Sequence, residues 1–140
     1  MQVTRHTDYA LRVLIYLAVR EGERARIETI ADGLEVSANH LRKVVNALTQ
    51  AGLVRGVRGR SGGIQLALPT AEIRVGDVVR LMETTLAPVN CTTPACVLSP
   101  QCRLRDALGE GMRAFLAVLD GYTLADLAGV PATRRIVMGL

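Results

Sequence analysis

The sequence predicts a mainly α-helical protein with one small β-hairpin, and three observations carry this prediction. Apolar residues recur at helical spacing over most of the 140 residues. Ile64, Leu66 and Leu68 alternate with the period of two that is typical of a strand. A basic, Gly-rich stretch at 58–63 separates that strand from a second predicted strand at 53–57, as the tip of a hairpin would.

The composition is that of a globular protein, with 49% hydrophobic and 21% charged residues. Aromatic residues make up only 3%, which argues against a binder of single-stranded nucleic acid that stacks bases on aromatic platforms. The longest apolar run, at 13–19, is far shorter than the roughly 20 residues of a membrane span. We therefore expect a cytoplasmic protein with no membrane partner.

The first predicted helix, at 8–20, is apolar on nearly all sides, which indicates burial on more than one side. A short amphipathic helix at 27–34 follows, and Glu35 and Val36 form a tight connection. Ser37 is predicted to cap the next helix through its hydroxyl, and Gly52 to end that helix as the residue after its last turn. Two short helices joined by a three-residue turn indicate a helix-turn-helix.

The outer face of the second of these helices carries polar residues opposite its apolar stripe. Asn and Arg can bond base edges in pairs, and Lys suits phosphates. Between Val36 and Ala71 the chain has five basic residues and no acidic one, which favours a surface facing a polyanion over an ordinary solvated face. The predicted DNA-binding residues on this helix are Ser37, Asn39, His40, Arg42, Lys43 and Asn46.

The predicted hairpin completes a winged helix-turn-helix domain at residues 1–85. Glycines let its tip turn sharply, and Arg58 and Arg60 are placed to enter a minor groove or to hold phosphates. A nucleotide-binding loop would need the G-x-x-x-x-G-K-[ST] pattern followed by a helix, and neither is present here.

The rest of the chain divides into a helix near 75–82, an irregular segment at 86–102 rich in proline, and a region at 103–140. That region begins with a helix of about five turns, longer than a small domain can cover, and we interpret it as a dimerisation helix. Thr123 then opens a last short helix with a capping-box-like sequence. The overall fold class is therefore a winged helix-turn-helix domain plus a long dimerisation helix.

All three cysteines, Cys91, Cys96 and Cys102, lie in the irregular segment. An odd number of cysteines argues against a disulfide framework, and their clustering argues against isolated core cysteines. Zinc prefers a closed set of four ligands, whereas an iron–sulfur cluster tolerates a fourth ligand that is not a thiolate. The residues by themselves leave a zinc site, an iron–sulfur site and a reversible thiol switch open.

Five segments that together span nearly the whole chain carry a family resemblance. They are TDYAL at 7–11, VRGRSGGI at 57–64, IRVGDVV at 73–79, VNC at 89–91 and YTLADL at 122–127. On these segments the chain resembles the Rrf2 family of winged-helix transcriptional regulators, and within that family the NsrR-like branch of nitric-oxide-sensitive repressors.

The resemblance implies a homodimer on a double-stranded DNA operator, with an iron–sulfur cluster on the three cysteines of each subunit. It implies that Asp8, reaching across from the partner subunit, supplies the fourth ligand. We take a four-iron cluster (4Fe–4S) in preference to a two-iron one (2Fe–2S). A sister branch carries a His three positions after its last cysteine, where this chain has Arg105. His6 and His40 are lesser candidates for the fourth ligand.

The function that follows is a DNA-binding repressor whose operator affinity is controlled by the cluster and which senses nitric oxide. Asp8, expected to precede the first helix, would tie the cluster of one subunit to the DNA-binding half of the other. A thiol- or zinc-based redox regulator and an iron–sulfur regulator of iron or oxygen status are the alternatives, and an electron-transfer or enzymatic iron–sulfur protein is a third. We expect no enzymatic activity, because no nucleophile–base–carboxylate set can be placed in a pocket.

Overall fold

The computed structural model describes residues 2–140, the side chain of Pro100 excepted. In this part of the chain, seven α-helices accompany one two-stranded β-hairpin, which confirms the predicted fold class. The elements are α1 (Arg5–Val19), α2 (Ile27–Gly33), α3 (Ala38–Gln50), β1 (Val54–Val57), β2 (Gly63–Leu66), α4 (Val75–Met82), α5 (Arg103–Asp120), α6 (Leu124–Gly129) and α7 (Pro131–Met138). Within residues 2–140 no helix combines the length and the apolar character that crossing a membrane requires.

Helix α1 is the centre of the core. Its side chains at Ala10, Val13 and Leu14 are completely buried, and it packs against α3, α4, α6 and α7. The expectation that α1 is buried on more than one side is confirmed. The predicted start at Asp8 is wrong by three residues, because the Thr4 hydroxyl accepts a bond from the Thr7 backbone N–H at 3.3 Å and caps the helix earlier.

The hairpin pairs β1 with β2 in antiparallel register, with Val54 opposite Leu66 and Val57 opposite Gly63. Each strand has four residues, one fewer than the predicted strands at 53–57 and 64–68. Ile64 is buried, but Leu68 lies beyond the end of β2 and is 39% exposed, so the inward alternation stops at Leu66. One backbone bond continues beyond β2, from the Ala67 N–H to the Leu53 carbonyl at 2.9 Å, and the pairing ends before Leu68.

Helix α5 is joined to α4 by a two-bond ion pair. Arg80 donates to both carboxylate oxygens of Asp120, at 2.6 and 2.8 Å, and these bonds hold the pKa of Asp120 below its usual value. Leu116 of α5 is buried, whereas Leu104 and Val118 remain 65% and 63% exposed. The apolar surface that α5 leaves uncovered is what a dimerisation helix needs, and that role stays a prediction.

The end of the chain returns to the core. Helices α6 and α7 pack against α1, with Leu124, Ala128 and Val137 buried. At the start of α6, Thr123 and Asp126 form the predicted capping box. A further helix, α7, begins at Pro131, so the expectation that the helix opened by Thr123 is the last one is wrong. In the region 103–140, therefore, α5 extends an exposed apolar surface while the residues after it belong to the same core as α1.

Candidate DNA-binding surface and cysteine segment

The turn between α2 and α3 orients the second helix. Glu35 adopts a left-handed conformation with φ of 55°, and the Val36 N–H donates to the Ala31 carbonyl at 2.9 Å. Gly52, with φ of 75°, ends α3, and the Leu53 N–H donates back to the Leu48 carbonyl at 3.0 Å. The helix-turn-helix and its predicted glycine stop are both present.

The apolar stripe of α3 is buried and its opposite face is open. The buried residues are Leu41, Val44, Val45 and Leu48. The exposed residues include every one predicted on this helix to bind DNA: Ser37, Asn39, His40, Arg42, Lys43 and Asn46. Exposure makes these side chains available to a duplex, because side chains on one outer face can enter a groove together.

Two details of this surface differ from the sequence-based expectation. Ser37 occupies the N-cap position of α3, but its side chain makes no capping bond, so the predicted capping hydrogen bond is wrong. Arg42 does not point freely outward. Its guanidinium donates to the Asn39 side-chain oxygen at 3.3 Å and to the Glu28 carboxylate at 2.7 Å. The segment without carboxylates therefore acquires one from α2 on folding.

The wing tip is shaped by close backbone contacts. Gly59 has φ of 115°, and the Gly62 N–H donates to the Gly59 carbonyl at 2.9 Å. Behind the tip, Ala25 forms two backbone hydrogen bonds with Ile64, at 3.0 and 2.8 Å. A Cβ on Gly63 would lie 2.6 Å from the Ala25 carbonyl oxygen, so this approach requires glycine.

The pairing with Ala25 brings two further arginines to the wing. The Arg24 guanidinium lies 3.4 Å from the Ser61 hydroxyl oxygen, and the Arg26 guanidinium lies 3.5 Å from the Arg60 carbonyl oxygen. We define Arg24, Arg26, Arg58 and Arg60 as the wing cluster. Sequence reasoning missed Arg24 and Arg26. Arg24 and Arg26 flank Ala25, and alternate residues of an extended segment share one side, so the sequence could have predicted that their side chains lie together.

The cysteine segment has little regular structure. Asn90 accepts backbone bonds from Thr92 and Thr93 through its side-chain oxygen, at 3.0 and 3.1 Å. The Cys96 N–H then donates to the Cys91 carbonyl at 3.2 Å, closing a turn. Sequence reasoning did not identify Asn90 as the residue that shapes this turn.

Cys102 stands at the N-cap of α5, where its sulfur accepts a bond from the Arg105 backbone N–H at 3.5 Å. All three cysteines are free and partly exposed. Free, accessible thiols are the donors that iron–sulfur clusters, zinc and thiol switches use, so the chemistry of the donor set fits each of them. Over residues 2–140, however, no group of three or more His, Cys, Asp or Glu side chains is gathered as metal ligands would be.

Asp8 lies in the first turn of α1 rather than before the helix, so the expectation that it precedes the helix is wrong. Its carboxylate pairs with Arg12 at 2.9 Å, and the side chain is 38% exposed. His6 and His40 line a groove of about 220 Å³ between α1 and α3, together with Arg5 and Lys43. Neither histidine is gathered with the cysteines into a set of metal ligands.

Hydrogen bonds link the start of α1 to the end of α4, just before the cysteine segment. Glu83 accepts bonds from the Thr4 backbone N–H at 2.8 Å and from its hydroxyl at 3.1 Å. Burial raises the pKa of Glu83, but hydrogen bonds from Thr7 and Thr4 outweigh it and hold that pKa below its usual value. The first turn of α1 therefore contacts the α4 end that leads into the cysteines.

Several solved structures are similar to this chain over most of its length. CymR of B. subtilis, the global cysteine regulator, is 30% identical, covering 92% of this chain and 97% of its own, with a TM-score of 0.68. CymR of Staphylococcus aureus is 35% identical over 89% of this chain and 96% of its own, with a TM-score of 0.72. IscR of T. potens is 28% identical over 91% and 85%, with a TM-score of 0.72.

The family comparison agrees with these structures. The sequence model of the Rrf2 family, described as iron-dependent transcriptional regulators, matches residues 3–129. The match takes in the helix-turn-helix, the wing, the cysteine segment and α5. This chain therefore belongs to the Rrf2 family of transcriptional regulators.

Proposed function

We propose that this regulator is a homodimeric repressor whose operator affinity depends on an iron–sulfur cluster, preferably 4Fe–4S, held by Cys91, Cys96 and Cys102, and that its signal is nitric oxide. The observation that carries the proposal is three free, accessible thiols within one irregular segment. The family description as iron-dependent supports the cofactor. When bound, a cluster with one weak ligand supplies an iron atom that a small molecule can reach.

The chain's own residues supply a route from the thiols to the DNA-binding surface. Cys102 starts α5, and the cysteine segment follows the α4 end that Glu83 ties to Thr4. Helix α1 begins at that tie and packs against α3. A change in how the thiols hold their ligand therefore acts on elements that support α3, the proposed recognition helix.

On DNA, the exposed face of α3 is proposed to enter the major groove, with Asn39, Arg42 and Asn46 at base edges and Lys43 at a phosphate. Ser37 has an uncommitted hydroxyl beside the first free N–H groups of α3, a place that suits a phosphate oxygen. His40 lies on the same face. The wing cluster is proposed to hold the adjacent backbone or minor groove.

The experiment that tests this function is an anaerobic purification followed by iron and sulfide analysis. The same sample is titrated with nitric oxide while binding to a duplex operator is followed. We expect bound iron and sulfide, salt-dependent duplex binding and loss of affinity on titration. A preparation that lacks both elements and still binds its operator fully would contradict the proposal.

A thiol-based or zinc-based regulator is the second candidate. It is favoured by the similarity to the CymR proteins, one of which is known in an oxidised form at 34% identity. The three thiols could serve such a switch equally well as donors. A colourless preparation whose operator affinity responds to thiol oxidation would select this candidate over the iron–sulfur one.

Replacing Arg24 and Arg26 together by alanine is expected to weaken duplex binding uniformly across sequences. Each phosphate contact contributes a slope of about −0.9 to the logarithmic salt dependence, so the slope should become shallower by roughly two. Binding titrations at several salt concentrations measure this slope. The matched control removes Arg134 and Arg135, two exposed arginines of α7, and should leave the slope unchanged. Equal slopes in all three proteins would contradict the assignment of these arginines.

Replacing Asp8 by alanine tests the proposed ligand from the partner subunit. We expect an altered visible absorption spectrum of the iron-loaded protein and a weaker response of DNA binding to nitric oxide. Arg12→Ala is the control, because it breaks the Asp8–Arg12 ion pair but keeps the carboxylate. If Asp8→Ala matches the wild type in both measurements, the coupling through Asp8 is wrong.

A further inference from the structure

The contact between α2 and the recognition helix joins two side chains that are fourteen residues apart. The Glu28 carboxylate and the Arg42 guanidinium are 2.7 Å apart, with 57% and 50% of their side chains exposed. The Asn39 oxygen accepts a second bond from the same guanidinium at 3.3 Å. Arg42 is therefore held from two sides, at the surface that is proposed to meet DNA.

The arrangement leaves Arg42 able to bind something else. A guanidinium carries five N–H donors, and two of them are used here. A hydrogen bond from the backbone of Glu28, together with the bond from Arg42, lowers the pKa of Glu28, so its carboxylate is charged at neutral pH. An exposed ion pair of this kind contributes little to stability. Its larger consequence is the position and the charge balance of Arg42.

The fixed position of Arg42 and the nearby negative charge both favour contacts of Arg42 with DNA bases over contacts with the DNA phosphate backbone. A long side chain loses rotamer freedom when it binds, and a guanidinium that is already held loses less of it. A carboxylate beside the guanidinium repels phosphates, which weakens contacts that every DNA sequence offers. The acceptors on a guanine edge are neutral and are affected less.

We propose that Glu28 is a positioning residue, which holds Arg42 to read a base edge and discourages its use as a non-specific phosphate contact. The proposal rests on the assignment of α3 as the DNA-reading helix. It assigns Glu28 a role in sequence discrimination, although Glu28 itself need not touch DNA.

The test compares discrimination rather than affinity. A preferred duplex is first selected with the wild-type protein from a random library, and a scrambled duplex of the same composition is made. Dissociation constants for both are measured at one salt concentration, for the wild type, Glu28→Ala and Glu72→Ala. Glu72 is an exposed carboxylate on the short turn after the wing, so its removal matches the change in charge.

For Glu28→Ala we expect the ratio of the two constants to fall about tenfold, within the range that one good paired base contact provides. Most of the change should come from tighter binding to the scrambled duplex. Glu72→Ala should keep the wild-type ratio. In an Arg42→Ala background, Glu28→Ala should no longer change the ratio, because the side chain that Glu28 positions is gone.

Two results would overturn the proposal. One is an unchanged or higher ratio for Glu28→Ala, and the other is the same loss of discrimination with and without Arg42. Failure of the underlying function is a separate outcome, since a wild-type protein that selects no duplex at all would contradict DNA reading by α3 itself.

Discussion

Replacing Cys96 by serine is expected to give a protein that purifies anaerobically with almost no bound iron or sulfide. The change removes one of the three thiolates available in each subunit, and a serine hydroxyl is a poor ligand for iron at neutral pH. Operator affinity should fall by about tenfold or more, as typical coupling energies between two sites allow. Iron and sulfide analysis, visible absorption and duplex binding of the same sample measure these effects.

Val97→Ser is the matched control for this change. It places the same serine one residue further along, at a side chain that is 92% exposed, and leaves all three thiols intact. The control should carry wild-type amounts of iron. Full iron occupancy in Cys96→Ser would contradict the proposed ligand set. A wild-type protein that purifies without iron would favour the thiol-based alternative.

Leu14→Ala is expected to cost about 3–5 kcal/mol of the free energy of unfolding. Leu14 is completely buried in α1, the helix against which α3, α4, α6 and α7 pack. A cavity at this point cannot be closed by a single neighbour, because elements on several sides would have to move. The whole free energy of unfolding of a typical domain is only about 5–15 kcal/mol. Denaturant unfolding monitored by circular dichroism gives the difference.

The comparison for Leu14 is Leu81→Ala, which truncates the same residue type on α4 where 54% of the side chain is exposed. We expect it to change the free energy of unfolding by less than about 1 kcal/mol. A loss in Leu14→Ala no larger than that of Leu81→Ala would show that α1 is not the centre of the core.

Much of the fold could be predicted because its signals are local. The spacing of apolar residues identified the buried stripe of α3, and hence the exposed face opposite it. Gly52 and the Thr123–Asp126 capping box were also predicted, since helix ends are determined by the nearest few residues. The N-terminal boundary of α1 was missed, because the capping bond of Thr4 lies outside the apolar pattern that located the helix.

Sequence patterns predicted α1 to α6 and the hairpin, the faces that α1 and α3 bury, and the residue types of the outer face of α3 and of the irregular segment, whereas α7 was not predicted. Only the tertiary structure brought Glu28 to Arg42, Arg24 and Arg26 to the wing, and Glu83 to Thr4. The two kinds of interaction act over different distances along the chain. Periodicity and capping act within a few residues of one element, whereas these contacts join elements whose distance depends on how the whole core packs.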